Sequence, residues 1–269
     1  MKTVMKTNLK STFAIFALTI GMLSLGHAKE ADHPNHQHPI DLPPSAQLHY
    51  TIKADHSGLS LSGEASVNWQ LTGDKSNPGY TISTETRAAI FGKILDAGSH
   101  GVIDSYGLAP LQYDDKPRNK NPFQARFDRN AKQISFATSD DTYPILGGEQ
   151  DRSSIVWQLV SIARAAPKKF VPGSTWEFFV AGRHDAEKWT FAVEERVTLT
   201  TPLGNIETVH LVKAPPPDSK DQRLDLWLAP GKEWYPVRLK FSDADGDTVD
   251  QRIDQITPAG STSNPGNQP

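Results

Sequence analysis

Three histidines stand close together near the start of the chain, in Asp32-His33-Pro34-Asn35-His36-Gln37-His38. Imidazole is a common ligand for divalent transition metals, so a set this dense could hold one. The competing reading is a solvated, proline-rich leader. No accompanying set of acids and further histidines completes a coordination sphere, and composition favours the leader. Glu194 and Glu195 look like a catalytic carboxylate pair, but neighbours on a strand point to opposite faces and cannot share a substrate. Asp243-Ala244-Asp245-Gly246-Asp247 carries the acids of a calcium loop at the wrong spacing, without the closing glutamate, and reads as a hairpin turn. His49, His56, His100, His184 and His210 are scattered over separate segments. Each reads as serving a local hydrogen bond or solvent. There is no Gly-rich phosphate cradle, no Gly-x-Ser-x-Gly elbow and no His-Glu-x-x-His. No catalytic residue, metal ligand or cofactor is assigned, and the balance leans away from an enzyme.

Four residues are selected instead as candidates for binding: Arg152, Asp225, Trp227 and Arg238. Three of them sit in the stretch from Arg223 to Phe241. Leu224, Leu226 and Leu228 alternate with Arg223, Asp225 and Trp227; Val237, Leu239 and Phe241 alternate with Arg238, Lys240 and Ser242. This is a hairpin with one apolar and one polar face. Matching the apolar faces places Leu228 near Val237, Asp225 opposite Lys240 and Trp227 opposite Arg238. A guanidinium over an indole is attractive in its own right.

Arg152 opens the one segment with helical spacing, Asp151 to Ala166, where apolar residues recur at 155, 156, 159, 160, 162, 163 and 166. Asp151 can cap it, and Pro167 stops it. On that helix Arg152 shares the arc of Ile155, Leu159 and Ala163, and so should face the sheet; the alternative is a helix that begins one turn later, with Arg152 extending into water. A buried cation needs a carboxylate, carbonyls or an anionic ligand. Arg164 falls on the opposite side and is expected to matter little.

The rest of the chain supplies the sheet. Runs with period-two alternation follow one another from residue 46, punctuated by Gly and Pro. The expectation is a mainly β fold: a large curved antiparallel sheet or open barrel, with one main helix on its apolar face. Residues 1–28 read as a cleaved targeting segment, with Lys2, Lys6 and Lys10 ahead of a short apolar run and Gly26-His27-Ala28 at its end. Residues 29–44 read as a disordered leader, 45–257 as a single β-rich domain and 258–269 as a disordered tail. The targeting segment carries three lysines and no acid, so its removal takes the formal charge from −3 to −6. That excludes a nucleic-acid partner and speaks against anionic lipid surfaces, since both need a basic footprint. Lys116, Arg118, Lys120, Arg126, Arg129 and Lys132 are a local exception. They read as a solvated loop and hairpin, or as an anionic-ligand patch at the sheet rim. With no cysteine in the chain there is no disulfide framework, and the core alone must hold the protein together.

An ordered set of motifs carries a resemblance. Asp225-Leu-Trp-Leu-Ala-Pro230, Tyr235-Pro-Val-Arg-Leu239, Gly246-Asp247 and Asp250-Gln251 combine with Gln150-Asp-Arg-Ser-Ser154, Pro172-Gly-Ser-Thr-Trp176, Thr201-Pro-Leu-Gly204 and Glu207-Thr-Val209. Over residues 43 to 256 this resembles the domain of unknown function 3108 family. The resemblance implies a secreted, β-rich bacterial envelope protein, hence a periplasmic one, and carries over no catalytic residues. Three functions follow as expectations. The first is a non-enzymatic binding or carrier module, holding a lipid-like or amphipathic ligand in an open apolar pocket. The second is an envelope interaction protein, with a filled core, that meets protein partners through exposed strand edges. The third, less favoured, is a hydrolase with a site gathered from scattered polar residues.

Overall fold

The computed structural model describes residues 33–56, 58–118, 121–215 and 222–260. The targeting segment, the first residues of the leader and the tail from 261 lie outside the described residues. Fifteen strands form a single sheet. The first eight are β1 (Ala46–His56), β2 (Leu59–Asp74), β3 (Asn77–Ala88), β4 (Gly92–Asp104), β5 (Gly107–Pro117), β6 (Phe123–Asp128), β7 (Gln133–Phe136) and β8 (Ser139–Pro144). The two-residue β9 (Gln150–Asp151) and helix α1 (Ser154–Ala165) follow. Then come β10 (Thr175–Ala181), β11 (Ala186–Thr201), β12 (Gly204–Lys213), β13 (Arg223–Leu228), β14 (Pro236–Ser242) and β15 (Thr248–Pro258).

The strand order is β8-β7-β6-β5-β4-β3-β2-β1-β15-β14-β13-β12-β11-β10-β9. Neighbours are antiparallel throughout, except that β9 runs parallel to β10. The first and last strands therefore lie side by side in the middle, and mid-chain strands form both edges. Alternation decides which way the sheet curls. In β1, Leu48, Tyr50 and Ile52 are buried while Gln47, Thr51 and Lys53 are exposed, and the same inner row runs through the paired strands. Burying that row rolls the sheet around it until its edges approach. Phe136 and Tyr143 share a cluster with Phe179, Ala181 and Ala186, and the Tyr143 and Phe179 rings lie 5.7 Å apart. The seam is packed by side chains and not closed by strand pairing, so the result is an open barrel.

Helix α1 runs inside this curl. All of residues 154–163 are buried, so the apolar stripe meets the sheet and the polar positions are enclosed as well. Trp157 stacks on Trp69 at 4.6 Å between centroids, a contact worth about 0.5–1.5 kcal/mol beyond area burial. Gln158 satisfies both ends of its amide: Oε1 accepts from the Leu108 amide at 2.9 Å, and Nε2 donates to the Tyr106 carbonyl at 2.7 Å. Between those residues Gly107 has φ +111°, and a Cβ there would sit 2.4 Å from Gln158 Oε1. Only glycine meets both demands.

Two expectations are corrected. The helix starts at Ser154 and not at Asp151. Asp151 still caps it from β9, where its Oδ1 accepts from the Ser153 and Ser154 amides, both at 2.8 Å. The leader is not a free segment over residues 33–44. It runs across the seam and against α1, with His33 stacked on Phe179 at 4.1 Å and His38 edge-on to Trp176 at 5.3 Å. Ile40 and Leu42 join the interior clusters. At its far end Trp69 donates to the Pro43 carbonyl and Tyr235 to the Pro44 carbonyl.

Candidate functional site

The β13–β14 hairpin brings three of the four selected residues together. Its register pairs Asp225 with Lys240 and Trp227 with Arg238, as the alternation required. Leu228 instead meets Pro236, because the ladder shifts after Trp227. Glu233 and Trp234 sit at positive φ in the connecting loop and displace the return strand by one residue. On the outward face β12 adds His210 beside Trp227, and β15 adds Arg252 beside Arg238. The His210 ring lies 4.3 Å from Trp227 at an interplanar angle of 1°. The Arg238 guanidinium covers the indole at 4.3 Å. Trp227 is thus buried within a face expected to be polar and wet.

Acids lock this row. Arg223 donates to both oxygens of Asp225, at 2.7 and 2.8 Å, and His210 Nε2 lies 2.8 Å from Oδ1. A carboxylate can only accept, so His210 is the donor there. Arg238 forks onto both oxygens of Asp250 at 2.9 and 2.8 Å, and Arg252 shares Oδ2. Burial pushes the Asp225 carboxyl up, but the bonds from Arg223 and His210 outweigh it and hold it well below the usual carboxylate range. Asp250 is likewise held low against its burial by Arg238 and Arg252. This is a satisfied ionic ladder. His210, Arg223, Asp250 and Arg252 complete it and were not selected from sequence: His210, Asp250 and Arg252 lie across strand pairings that alternation alone does not fix, whereas Arg223 shares the face of Asp225 two residues away and the hairpin spacing could have found it.

Arg152 is not part of it. It precedes the helix and is exposed, with its guanidinium 5.8 Å from the centre of the Trp189 ring. The expected burial against the sheet fails because the first helical turn begins two residues later. Arg164, expected to be inert, is the more engaged cation: it reaches Asp41 at 3.2 Å and also binds Glu233.

The second cluster is inside, where the seam meets the start of α1. Asp151 is wholly buried. Ser99 Oγ donates to its Oδ2 at 2.5 Å, and the Tyr80 hydroxyl lies 3.2 Å from that Oγ. Burial pushes the Asp151 carboxyl up to about 6, against the opposing bonds from Ser99 and the helix amides. Gln150 donates to the Leu108 carbonyl at 2.7 Å, tying β9 to β5. Glu149, also buried, accepts from the Gly147 amide at 2.6 Å and from the Leu146 amide. His33 Nε2 lies 3.2 Å from Glu149 Oε1. These groups close the seam. Among the described residues no group of three or more His, Cys, Asp or Glu could hold a metal ion. Three of the other histidines make local bonds: His49 with Ser66, His184 with Thr138 and His56 with Asp247.

The family model for proteins of unknown function DUF3108 matches residues 47–253. The chain belongs to that family. No curated protein matches it. A solved β-barrel-like protein of domain of unknown function DUF1849 from Brucella abortus is similar at TM-score 0.52 and 12% identity, covering 81% of this chain and 99% of that one. It shows the same fold. A proposed outer membrane lipoprotein-sorting protein domain from Vibrio parahaemolyticus has TM-score 0.33 and 10% identity, covering 81% and 87% of the two chains. A DUF1329 family protein from Desulfovibrio piger has TM-score 0.29 and 7% identity, covering 83% and 89%. At those scores neither bears on this chain.

The concavity, expected as an open apolar pocket, is filled by α1 and residues 33–44. A depression of 370 Å³ that does open to solvent is lined by Gln47, Ser66, Asn68, Ser83, Thr84, Glu85 and Asp96, all polar. Among the described residues no helix is long and apolar enough to cross a membrane.

Proposed function

We propose that this protein is a binding module of the cell envelope that seats an apolar or amphipathic ligand between its sheet and α1. The observation that carries the reading is the cover over β10. Trp176 and Phe178 line the interior beside α1, Phe179 packs in the seam cluster on the other face of β10, and residues 33–38 reach both through ring contacts. The segment is anchored at its other end, where the Asp41 amide donates to the Ser161 carbonyl at 3.0 Å and the Pro43 and Pro44 carbonyls accept from Trp69 and Tyr235. A cover pinned at one end and stacked at the other can swing without breaking a ladder. Trp176 Nε1 is buried without an acceptor among the described residues and offers a donor to a ligand's polar end. The reading requires export, which the segment read at residues 1–28 would provide.

The test is native mass spectrometry and organic extraction of protein isolated from the periplasm, together with quenching of tryptophan fluorescence by a brominated fatty acid. His33→Asp with His38→Asp loosens the cover and should raise both ligand retention and quenching. If parent and variant are both ligand-free and unquenched, the reading fails. The filled interior favours a second reading, an envelope interaction protein acting through a strand edge such as β8. Stoichiometric co-isolation of one protein partner without any lipid would select it.

A further inference from the structure

The two neighbouring hairpins β1–β2 and β3–β4 end together in an apolar tip. Ile90 is 78% exposed, Leu59 67%, Phe91 55% and Ile94 36%. The Ala89 amide donates to the Ser62 carbonyl at 3.0 Å, which sets the two turns side by side. Single exposed apolar residues are ordinary, but four grouped at one end of a barrel are not.

What lies behind them is ordered in layers. Arg87 and Lys93 face each other across the β3–β4 ladder, two or three residues from Ile90 and Phe91. Arg118, at the end of β5, donates its backbone amide to the Ile94 carbonyl and its guanidinium to the Phe91 carbonyl. The next rung is acidic: Glu85 faces Asp96, and Lys93 reaches both. Lys116 stands opposite Asp96 on β5. On β3 to β5 an apolar tip, a basic collar and an acidic band follow one another along the strands, although Arg87 is ion-paired to Glu85 at 2.6 Å and faces Glu64 on β2. At roughly 3.3 Å per residue the collar stands about 7–10 Å behind the tip. A phospholipid surface presents the complementary sequence of acyl chains, phosphates and water over the same depth. The net charge of the chain opposes such a surface as a whole, but screening confines each charge to its own neighbourhood of about 8–10 Å. The acidic turn at residues 243–247 adjoins only the Leu59 side, where His56 binds Asp247. That confines the seat to the β3–β5 side.

We infer that the tip formed by Ile90, Phe91 and Ile94, with its collar of Arg87, Lys93 and Arg118, seats the protein on an anionic phospholipid surface. The seat is independent of the ligand reading above and survives if that reading fails.

The experiment is co-sedimentation of the full exported chain with vesicles of phosphatidylethanolamine and phosphatidylglycerol, against vesicles of phosphatidylcholine alone. The parent should bind the first, more weakly as salt rises. Ile90→Asp with Phe91→Asp should cut binding about tenfold or more. Lys93→Glu should cut it by about fivefold or more and flatten the salt dependence. Leu203→Asp, in the β11–β12 turn at the opposite end, should bind like the parent. The substituted apolar side chains are solvent-exposed, so the thermal midpoints of those variants should be unchanged; Lys93→Glu loses its pairs with Glu85 and Asp96, and its binding is compared at a temperature where its own midpoint shows it folded. Phe91→Trp gives a second readout, quenched by brominated acyl chains when the tip enters the bilayer. No binding by the parent, or equal binding by parent and tip variant, overturns the inference, as does a Phe91→Trp reporter that stays unquenched on bound vesicles.

Discussion

Asp151 and Asp225 are both carboxylates taken out of water, and their environments drive them in opposite directions. Asp151 faces neutral donors: a serine hydroxyl and two helix amides. Asp225 faces a guanidinium fork and an imidazole. Burial penalises the charged form in both places. Neutral dipoles offset only part of that penalty at Asp151, whereas the Arg223 guanidinium with the His210 hydrogen bond more than offsets it at Asp225. The difference teaches what each region is for. The ladder on the outer face is an ionic lock that is fully made at neutral pH. The seam is a hydrogen-bonded joint whose central acid takes up a proton near pH 6, so the joint is loosest when that acid is charged.

The largest expected effect tests the seam. Asp151→Ala removes the helix cap and leaves the Ser99 hydroxyl and two amides without their acceptor, costing about 3 kcal/mol in chemical unfolding. The pH dependence carries a definite sign. A carboxyl raised from 3.8 to about 6 binds more proton in the folded state over that window, so its contribution to stability falls as pH rises from about 4 to about 6. The total change is on the order of 3 kcal/mol. Asp151→Asn keeps an acceptor for the amides and should flatten that limb; a limb unchanged in the variant would sink the assignment.

The next effect tests the lock. Asp225 is depressed, so its contribution is present above the unfolded carboxyl value and is lost as pH falls below about 4. Asp225→Asn should cost about 2 kcal/mol at neutral pH and reduce the acid-side loss. A variant that denatures in acid along the parent's curve would show that the ladder is not the acid-sensitive element. The smallest effects compare two arginines. Arg164→Ala should cost about 1 kcal/mol by releasing Asp41 and Glu233, while Arg152→Ala, exposed over Trp189, should stay within about 0.5 kcal/mol. Thermal unfolding of both reads the order, and a larger loss at Arg152 would reverse it.

Much of the fold was legible because alternation is a strong constraint. Trp227 opposite Arg238 and Asp225 opposite Lys240 followed from matching two leucine-rich faces. The slip at Leu228 did not, because it depends on the positive φ of Glu233 and Trp234, which no composition rule assigns to those residue types. The cap by Asp151 was legible, but its place three residues ahead of the helix was not, and Arg152 was misplaced with it. Ser154, Gln158 and Ser161 stand outside the apolar positions that mark the helix, and yet they are enclosed. They are buried because the sheet curls around α1 from both sides, and sequence spacing carries no information about that enclosure. The leader was hidden by its own composition. Histidine and proline mark solvated segments, yet a histidine ring stacks on Phe179 as readily as it meets water.

The adjacency of β1 and β15 fixes when this protein can become whole. Leu48 pairs with Ile256 and Tyr50 with Ile253, so the first strand waits for a partner some two hundred residues behind it in the order of emergence. A chain delivered amino-end first would hold β1 to β8 as a row of hairpins whose β1 edge stays unsatisfied until β15 arrives. Residues 33–44 precede β1, yet they lie against α1 and β10, which come much later. They can take up their place only after the rest has assembled. The earliest described segment to appear is thus among the last to dock, and a stop shortly before Thr248 would leave a half-sheet with its central edge bare and open to pairing with another chain.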